Sequence, residues 1–294
     1  MTQQTKQAPA PLCGPDDPPA YKLLNPDGKA PFIILCDHGG TAIPQKLGML
    51  GLPPALFETH HDIHDIGTRA VALKMADLID APTLIAHYSR LLIDVNRRLD
   101  HPTSIVTGIE GHSVPGNFDL TEEERSARRE AVFTPYHDRV TALVDRFESQ
   151  EIMPTILSLH SFTRYFYKQV RPWDAGILWV QDFRLPSFLL SFLAEKGLRI
   201  GNNEPYDARI LRGTTTNHHA DARRLPNALV EICNDQIADQ AGVERWAGYL
   251  VDSLQKALAE GVLDGYYDGP DLVHNPGQDR AYIQALRAKA EQGD

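Results

Sequence analysis

The sequence predicts an α/β fold, a three-layer α/β/α sandwich around a central mixed, mostly parallel sheet. Short apolar runs of strand length alternate with longer segments whose apolar residues recur at helical spacing. The chain has 294 residues, 42% hydrophobic and 23% charged, which suffices for a sizeable core. We expect one folded domain at 29–270, an extended proline-rich arm at 1–28 and a C-terminal tail at 271–294 that a helix could occupy.

The predicted strands are apolar on both faces, as in a sheet covered by helices on both sides. The first strand is followed by Asp37 and then His38, the fourth delivers His160, and the last contains Glu231. Several polar side chains therefore sit at or near strand ends. The predicted strands are 32–36, 83–86, 91–95, 155–159, 176–180 and 229–233.

The predicted helices carry apolar residues on one face and would cover the sheet. Thr121 followed by three glutamates is typical of a helix start, because the hydroxyl caps free amides and the acids meet the positive end of the helix dipole. Pro82 would stop the first helix. The predicted helices are 60–79, 121–149, 185–196 and 238–260.

Composition excludes several classes of partner and location. The net charge is -10 and no basic run occurs, so neither nucleic acid nor an anionic membrane is an expected partner. The polar N-terminus lacks the apolar core of a signal peptide, and no stretch approaches the roughly 20 apolar residues of a membrane span. The three cysteines are far apart and show no C-x-x-C spacing, which argues against a disulfide framework. We therefore expect a cytoplasmic protein.

Functional side chains are predicted to converge at one edge of the sheet. Ligands of open α/β sheets bind at the carboxyl ends of strands, and His38, Asn96, His160 and Glu231 follow or end predicted strands. A single histidine in such a place is more often a structural, hydrogen-bonded residue. Two of them beyond apolar strands favour a site.

A hydrolytic zinc ion needs about three protein ligands and one open position, and mixed histidine and carboxylate sets are usual. His38 and His160 supply two ligands. Asp62 and Asp65 are candidates for the third, since they are three residues apart and would share a face of the helix predicted at 60–79. The alternative is that these carboxylates merely meet the dipole at the helix start.

Arg90, Arg97 and Arg98 cluster near the same edge, and a planar guanidinium is suited to gripping a carboxylate. A small-molecule substrate bearing a carboxylate is the corresponding prediction. The alternative is that these arginines pair with Asp94 or Asp100 at the surface.

Glu231 lies between apolar residues, where an ionised side chain is costly unless it is paired or used. Burial there would raise its pKa towards the range of a general acid or base. A serine hydrolase based on Ser161 is disfavoured, because the chain has no G-x-S-x-G motif. The pair His218-His219 is an alternative metal site, although adjacent histidines rarely face one way.

Several motifs in one order resemble the N-formylglutamate amidohydrolase family, which is related in layout to zinc carboxypeptidases, aspartoacylase and succinylglutamate desuccinylase. The resemblance extends from about residue 32 to residue 239. It rests on the segments 36–44, 65–67, 88–97, 159–163, 203–206 and 219–231.

The resemblance implies one zinc ion per chain, held by His38 and His160, with the acid of the last strand, Glu231, as general base. The relatives take their first two ligands from H-x-x-E, whereas residue 41 here is threonine. Asp65 is therefore our choice for the carboxylate ligand, with Asp62 as the alternative.

The implied reaction is zinc-dependent hydrolysis of the amide of an N-formyl or other N-acyl amino acid, such as N-formylglutamate. Arg97 would act catalytically, by stabilising charge on the tetrahedral oxygen or by holding the substrate carboxylate. The expected substrate-binding residues are Arg90, Asn96, Arg97, Glu204, Tyr206 and His219. The alternatives are a zinc carboxypeptidase, a peptidoglycan-type amidase and a non-catalytic carboxylate-binding protein. Whichever function applies, the protein could form a homo-oligomer.

Overall fold

The structure is a computed structural model that describes residues 11–166, 168–211 and 213–270. Its strands in chain order are β1 (Tyr21–Leu24), β2 (Phe32–Cys36), β3 (Thr83–Ala86), β4 (Gly108–Ile109), β5 (His112–Ser113), β6 (Thr155–Phe162), β7 (Tyr165–Phe166), β8 (Gln169–Val170), β9 (Ala175–Leu178), β10 (Ile200–Asn202) and β11 (Asn227–Cys233). Its α-helices are α1 (Leu56–Thr59), α2 (Thr68–Leu78), α3 (Glu122–Arg128), α4 (Thr134–Glu148), α5 (Arg184–Ala194), α6 (Thr215–His219) and α7 (Gln240–Ala259).

Seven strands form one sheet in the order β1-β3-β2-β6-β11-β9-β10. The central strands β3, β2, β6 and β11 are mutually parallel, whereas β1 is antiparallel to β3, and β9 is antiparallel to β11. At the far edge β10 runs parallel to β9. The mixed, mostly parallel sheet is therefore confirmed. Two small hairpins, β4–β5 and β7–β8, lie outside it.

Helices cover both faces of the sheet. Alternate residues of β2 show the division, because Phe32 and Ile34 share a buried cluster with Trp246 of α7, whereas Ile33 and Leu35 share one with Tyr136 of α4. Helices α2 and α5 join α7 on the first face. The three-layer sandwich is confirmed, and its core lies on either side of the central strands.

The predicted long helix from Thr121 is present with a complete capping box, since the Thr121 hydroxyl accepts from the Glu124 amide and the Glu124 carboxylate accepts from the Thr121 amide. Helix α3 continues through one π-helical segment, Arg129–Phe133, into α4. Tyr136 of α4 then reaches the sheet, where its hydroxyl donates to the Asp37 carboxylate over 2.8 Å.

The helix predicted at 60–79 is wrong in its first half. Helix α2 begins only at Thr68, after Gly67, whose φ of +88° belongs to the left-handed region that favours glycine. The preceding residues form a turn in which the Asp65 amide donates to the His38 carbonyl oxygen. Asp62 and Asp65 therefore do not share a helical face, and this turn brings Asp65 beside the end of β2.

The strand predicted at 91–95 is also wrong. This segment is a buried turn, in which the Leu92 amide donates to Ser89 and the Asp94 amide donates to Ser104. Its apolar residues pack inward without pairing in a sheet, which gives a buried loop the composition of a strand.

The N-terminal segment is not an extended arm throughout, because Tyr21–Leu24 forms β1 against β3. The tail predicted at 271–294 lies outside the described residues. Within the described ranges, no helix has the length and apolar character required to cross a bilayer.

Candidate active site and metal centre

His38, Asp65 and His160 meet at the carboxyl ends of the parallel strands. His38 lies two residues beyond β2, His160 lies within β6, and Asp65 comes from the turn before α2. The Asp65 carboxylate lies 2.8 Å from Nδ1 of His160 and 3.5 Å from Nδ1 of His38. All three residues are buried, and one potential ligand atom from each lies within 4.8 Å of the others. This group could hold a metal ion.

Carboxylates contact Nε2 of both imidazole rings and so orient the rings. Nε2 of His38 lies 2.7 Å from Asp94 Oδ1, and Nε2 of His160 lies 3.1 Å from Asp37 Oδ2 and 3.0 Å from the Ser158 hydroxyl. With Nε2 engaged, each ring presents Nδ1 to the shared space. Nδ1 of His38 is buried and has no hydrogen-bond partner within the part of the chain that the structure describes. Histidine ligands of metals commonly donate their other nitrogen to a carboxylate in this way, so these residues fit a metal.

The electrostatics of the group favour a cation. Burial opposes ionisation of Asp65, but the charge of His38 and the hydrogen bond from His160 outweigh it and hold the pKa of Asp65 well below its usual range. Burial opposes ionisation of Asp37 too, but the hydrogen bonds from His160 and Ser158 and the charges of the two histidines together outweigh it and lower the pKa of Asp37. Burial opposes protonation of His160, yet its bonds to Asp37 and Asp65 raise its pKa to about 10. The two carboxylates thus hold positive charge at this position.

Glu231 lies beside this group on the neighbouring strand. In the parallel β6–β11 pair, Glu231 is the partner of His160, and both line the same cavity. The Glu231 side chain is buried, and no described residue forms a hydrogen bond with its Oε2. Burial raises the pKa of Glu231, and the positive charge of His160 opposes that rise. A carboxylate of this kind can accept a proton inside the cavity.

Asn96 and Arg97 lie on the loop that carries Asp94, not at a strand end. The Asn96 side-chain oxygen accepts from the Thr215 amide over 2.8 Å, and its Nδ2 lies 3.4 Å from Nε2 of His160. Arg97 donates from Nη1 to the Asn96 carbonyl oxygen over 2.9 Å, and its buried Nε has no hydrogen-bond partner in the described ranges. Arg97 therefore keeps donor capacity for a ligand.

The other two arginines are paired with the predicted carboxylates. Arg90 lines the cavity but donates to Asp94 over 2.8 Å, which occupies part of its guanidinium. Arg98 donates to Asp100 over 2.9 Å and does not line the cavity. Both pairs proposed as the alternative for these arginines exist, whereas Arg97 lines the cavity without an ion pair to Asp94 or Asp100 among the residues described.

The cavity above the group has a volume of about 810 Å³. Its lining includes the His-Asp-His group with Arg90 and Arg97, and it also includes a set of apolar residues that we call the apolar wall. Tyr206 lines it next to this wall, as expected of a substrate-contacting residue. The apolar wall and rim comprise Val106, Ile109, Phe166, Leu178, Leu211 and Leu229.

Three other sequence candidates do not meet the metal group. Glu204 is exposed and does not line the cavity. His219 is buried away from the cavity, where its Nε2 lies 2.8 Å from Nδ1 of His137. The geometry therefore does not support direct substrate contact by these two residues. Asp62 does line the cavity, but its carboxylate accepts from the Glu110 amide and lies outside the His-Asp-His group.

Residues that contact and position other side chains of the site were not identified from the sequence. Asp37 and Asp94 orient the histidines, and Arg171 stacks against aromatic rings, 4.3 Å from Phe166 and 5.0 Å from Tyr206. Asp37 could have been found, since it directly precedes His38 at the end of a strand. Arg171 is buried, but nothing in the local sequence distinguishes it from the exposed arginines.

Three proteins similar to this chain provide an independent view. The gene product Atu2144 of Agrobacterium tumefaciens has a TM-score of 0.80 at 31% identity, with 85% of this chain and 98% of that chain covered. The N-formylglutamate amidohydrolase of Ralstonia eutropha JMP134 shares the fold, with a TM-score of 0.64 and 22% identity over 83% of this chain and 98% of that chain.

The curated relative is the N-formylglutamate deformylase of Pseudomonas aeruginosa, which is 27% identical over 146 residues. This match spans 46% of the present chain and 53% of the relative, so it covers about half the length of that protein. The model of the family described as N-formylglutamate amidohydrolase matches residues 30–238, which include all the residues of the site. The chain therefore belongs to the N-formylglutamate amidohydrolase family.

Proposed function

We propose that this protein is a zinc-dependent amidohydrolase that cleaves the linear amide of an N-formyl or other N-acyl amino acid. N-formylglutamate is the first candidate substrate, since both the family and the Pseudomonas aeruginosa relative carry its name. The observation that carries the proposal is the buried Glu231 carboxylate, whose Oε2 has no hydrogen-bond partner among the described residues, beside the His38–Asp65–His160 group in one cavity.

We infer one zinc ion at this group. Nδ1 of His38, Nδ1 of His160 and a carboxylate oxygen of Asp65 would hold it, and two histidines with one carboxylate make a ligand set typical of hydrolytic zinc. When bound, zinc polarises a carbonyl group and lowers the pKa of water towards 7. Asp94 and Asp37 keep the two rings in the tautomer that presents Nδ1.

Glu231 moves the proton in this proposal. Its carboxylate takes a proton from the attacking water as the water oxygen bonds to the acyl carbon. It then returns the proton to the nitrogen as the C–N bond breaks. One water is consumed, and formate and the free amino acid are released from a formyl substrate. The raised pKa of Glu231 suits both directions of transfer, because it brings the group nearer to the working pH.

Arg97 positions the substrate. Arg97 lines the cavity, where a bidentate grip of its guanidinium on the α-carboxylate would fix the amide relative to Glu231. Arg90 supports the same charge more weakly, since Asp94 already engages it. The substrate is accordingly a small molecule with a free carboxylate.

The size of the cavity favours a second candidate, a carboxypeptidase or amidase that accepts a longer acylated or peptidyl substrate. A volume of about 810 Å³ lies near the upper end of the range for sites that bind drug-sized ligands, well beyond the needs of a formyl amino acid. The apolar wall with Leu178 and Leu229 would contact the additional group.

The decisive experiment is a substrate panel. Protein stripped with a chelator and then reloaded with zinc is incubated with N-formyl amino acids, N-acetyl amino acids and short peptides, and release of free amine is followed. Turnover of N-formylglutamate only after zinc is restored supports the first candidate. Turnover of peptides instead supports the second.

If no compound is turned over and the freshly purified protein retains no zinc, the enzyme proposal is rejected. The remaining candidate is then a carboxylate-binding protein.

A further inference from the structure

A second histidine cluster lies behind the cavity, apart from the His38–Asp65–His160 group. It consists of His137 on α4 with His218 and His219 on α6. The ring centroids are 5.1 Å apart for His137 and His219, 5.3 Å for His137 and His218, and 4.6 Å for His218 and His219. Although His218 and His219 are adjacent in the chain, both rings thus approach His137, the third ring, which α4 supplies.

The hydrogen bonds leave a nitrogen lone pair directed into the cluster. Nε2 of His137 lies 2.9 Å from the Val95 carbonyl oxygen, which can only accept, so this nitrogen carries the proton. Nδ1 of His137 therefore accepts a hydrogen bond from Nε2 of His219 over 2.8 Å. On metal binding this hydrogen bond would be lost, His219 would carry its proton on Nδ1, and the lone pairs of both nitrogens would face the ion. A ring that donates from one nitrogen to a backbone carbonyl and presents the other nitrogen to a metal is a common arrangement at metal sites.

The spacing of the rings matches that of three imidazoles around one ion. With metal–nitrogen distances of about 2.0–2.1 Å and tetrahedral angles, ring centroids lie about 5 Å apart and ligand nitrogens about 3.3 Å apart. One potential ligand atom from each histidine already lies within 4.8 Å of the others. The 2.8 Å contact between His137 and His219 would open by about half an ångström on coordination.

The cluster is also accessible. His137 and His219 are buried, whereas His218 is exposed, so an ion could enter from solvent and keep a water as its fourth ligand. Imidazole nitrogens suit zinc, copper, nickel and cobalt rather than magnesium or calcium.

We propose that His137, His218 and His219 form a second site that binds a divalent transition-metal ion such as Zn²⁺. An ion there would join α6 to α4. The Thr215 amide on α6 holds the Asn96 side chain, and the Val95 carbonyl oxygen receives both His137 and the Thr215 hydroxyl. The second site would thus stiffen the support of Asn96 without contacting substrate.

The test counts zinc in protein that is stripped with a chelator, reloaded with Zn²⁺ and passed through a desalting column. Elemental analysis should find two zinc ions per wild-type chain and one in His218→Ala. His218 is exposed, so this variant retains its fold, which circular dichroism checks. His112→Ala, an exposed histidine outside both clusters, is the matched control and should keep two.

A second measurement isolates the site. In His38→Ala/His160→Ala, added Co²⁺ should give the visible absorption of four-coordinate cobalt, and His218→Ala in that background should abolish it. One zinc ion in the wild type with no loss in His218→Ala would overturn the proposal. Equal cobalt spectra with and without His218 would overturn it as well.

Discussion

Glu231 on β11 is the register partner of His160 on β6, and the two side chains face the same cavity. Backbone pairing between parallel strands, not a mobile loop, therefore fixes the distance between the proposed general base and one proposed metal ligand. Sites built on strands hold their geometry more closely than sites built on loops.

Replacing Glu231 by glutamine should remove the proton acceptor and leave the metal group intact. We expect zinc content to be unchanged and kcat to fall at least about a hundredfold. Steady-state kinetics on the best substrate of the panel, with zinc analysis of the same sample, measure both. Glu204→Gln is the matched control, since Glu204 is exposed and outside the cavity, and it should keep wild-type kcat. Near-normal turnover in Glu231→Gln would remove Glu231 from the reaction.

Asp65→Asn and Asp62→Asn distinguish the two candidates for the carboxylate ligand. Asp65 contacts both histidines of the group, whereas Asp62 accepts from the Glu110 amide. We expect Asp65→Asn to lose zinc on desalting and Asp62→Asn to retain one ion at the active site. Isothermal titration of chelator-treated protein gives the affinities. The opposite order would assign the ligand to Asp62.

Arg97→Lys should weaken substrate binding, because an ammonium group cannot make the bidentate contact of a guanidinium. A lost hydrogen bond to a charged group is worth about 1.5–3 kcal/mol, so kcat/KM should fall about 10- to 100-fold. Arg98→Lys, whose guanidinium pairs with Asp100 outside the cavity, should change kcat/KM less than about twofold. Equal effects of the two substitutions would contradict a clamp at Arg97.

We expect the ionised form of Asp174 to account for part of the loss of stability of the fold in acid. Burial opposes its ionisation, but hydrogen bonds from Arg199 and Arg164 outweigh this and lower the pKa of Asp174 below its usual value. Since the unfolded chain takes up the proton first on acidification, the contribution to stability is complete above about pH 4 and is lost as the pH falls through the folded-state pKa.

Urea unfolding from pH 7 to pH 3 tests this expectation. Asp174→Asn should lower the free energy of unfolding by about 1–3 kcal/mol at pH 7, and the difference from wild type should shrink in acid. The exposed Asp252→Asn on α7 should show no such convergence. A difference that is constant over the whole range would mean that the ionised form of Asp174 is not what stabilises the fold.

Most of the fold could be predicted from the sequence because its strands are short, apolar and well separated by helices. The errors at 60–67 and 91–95 share one cause. Both segments are turns packed against the body of the protein, and their buried apolar residues imitate the periodicity of a helix or a strand. Periodicity reports burial, and it cannot tell a buried loop from a regular element.

The same limit applies to the site. His38, His160 and Glu231 were predictable because they lie in or directly after strands whose order sets their position. The role of Asp94 was not, since it depends on which nitrogen of His38 faces inward, and that is decided by contacts between loops distant in sequence. The resemblance implied that His219 contacts the substrate, but α6 turns its ring toward α4.

The positions of β1 and α7 in the chain limit how far the protein can be truncated. The family match begins at residue 30 and ends at residue 238, which leaves out both elements. Yet β1 closes one edge of the sheet, and α7 contributes Trp246 and Leu250, both fully buried, to the larger core cluster. A fragment cut at the homology limits would present a bare apolar face and an open strand edge to solvent. Expression of such a fragment should yield aggregate, because the smallest independently folding piece is longer than the segment that the family model matches.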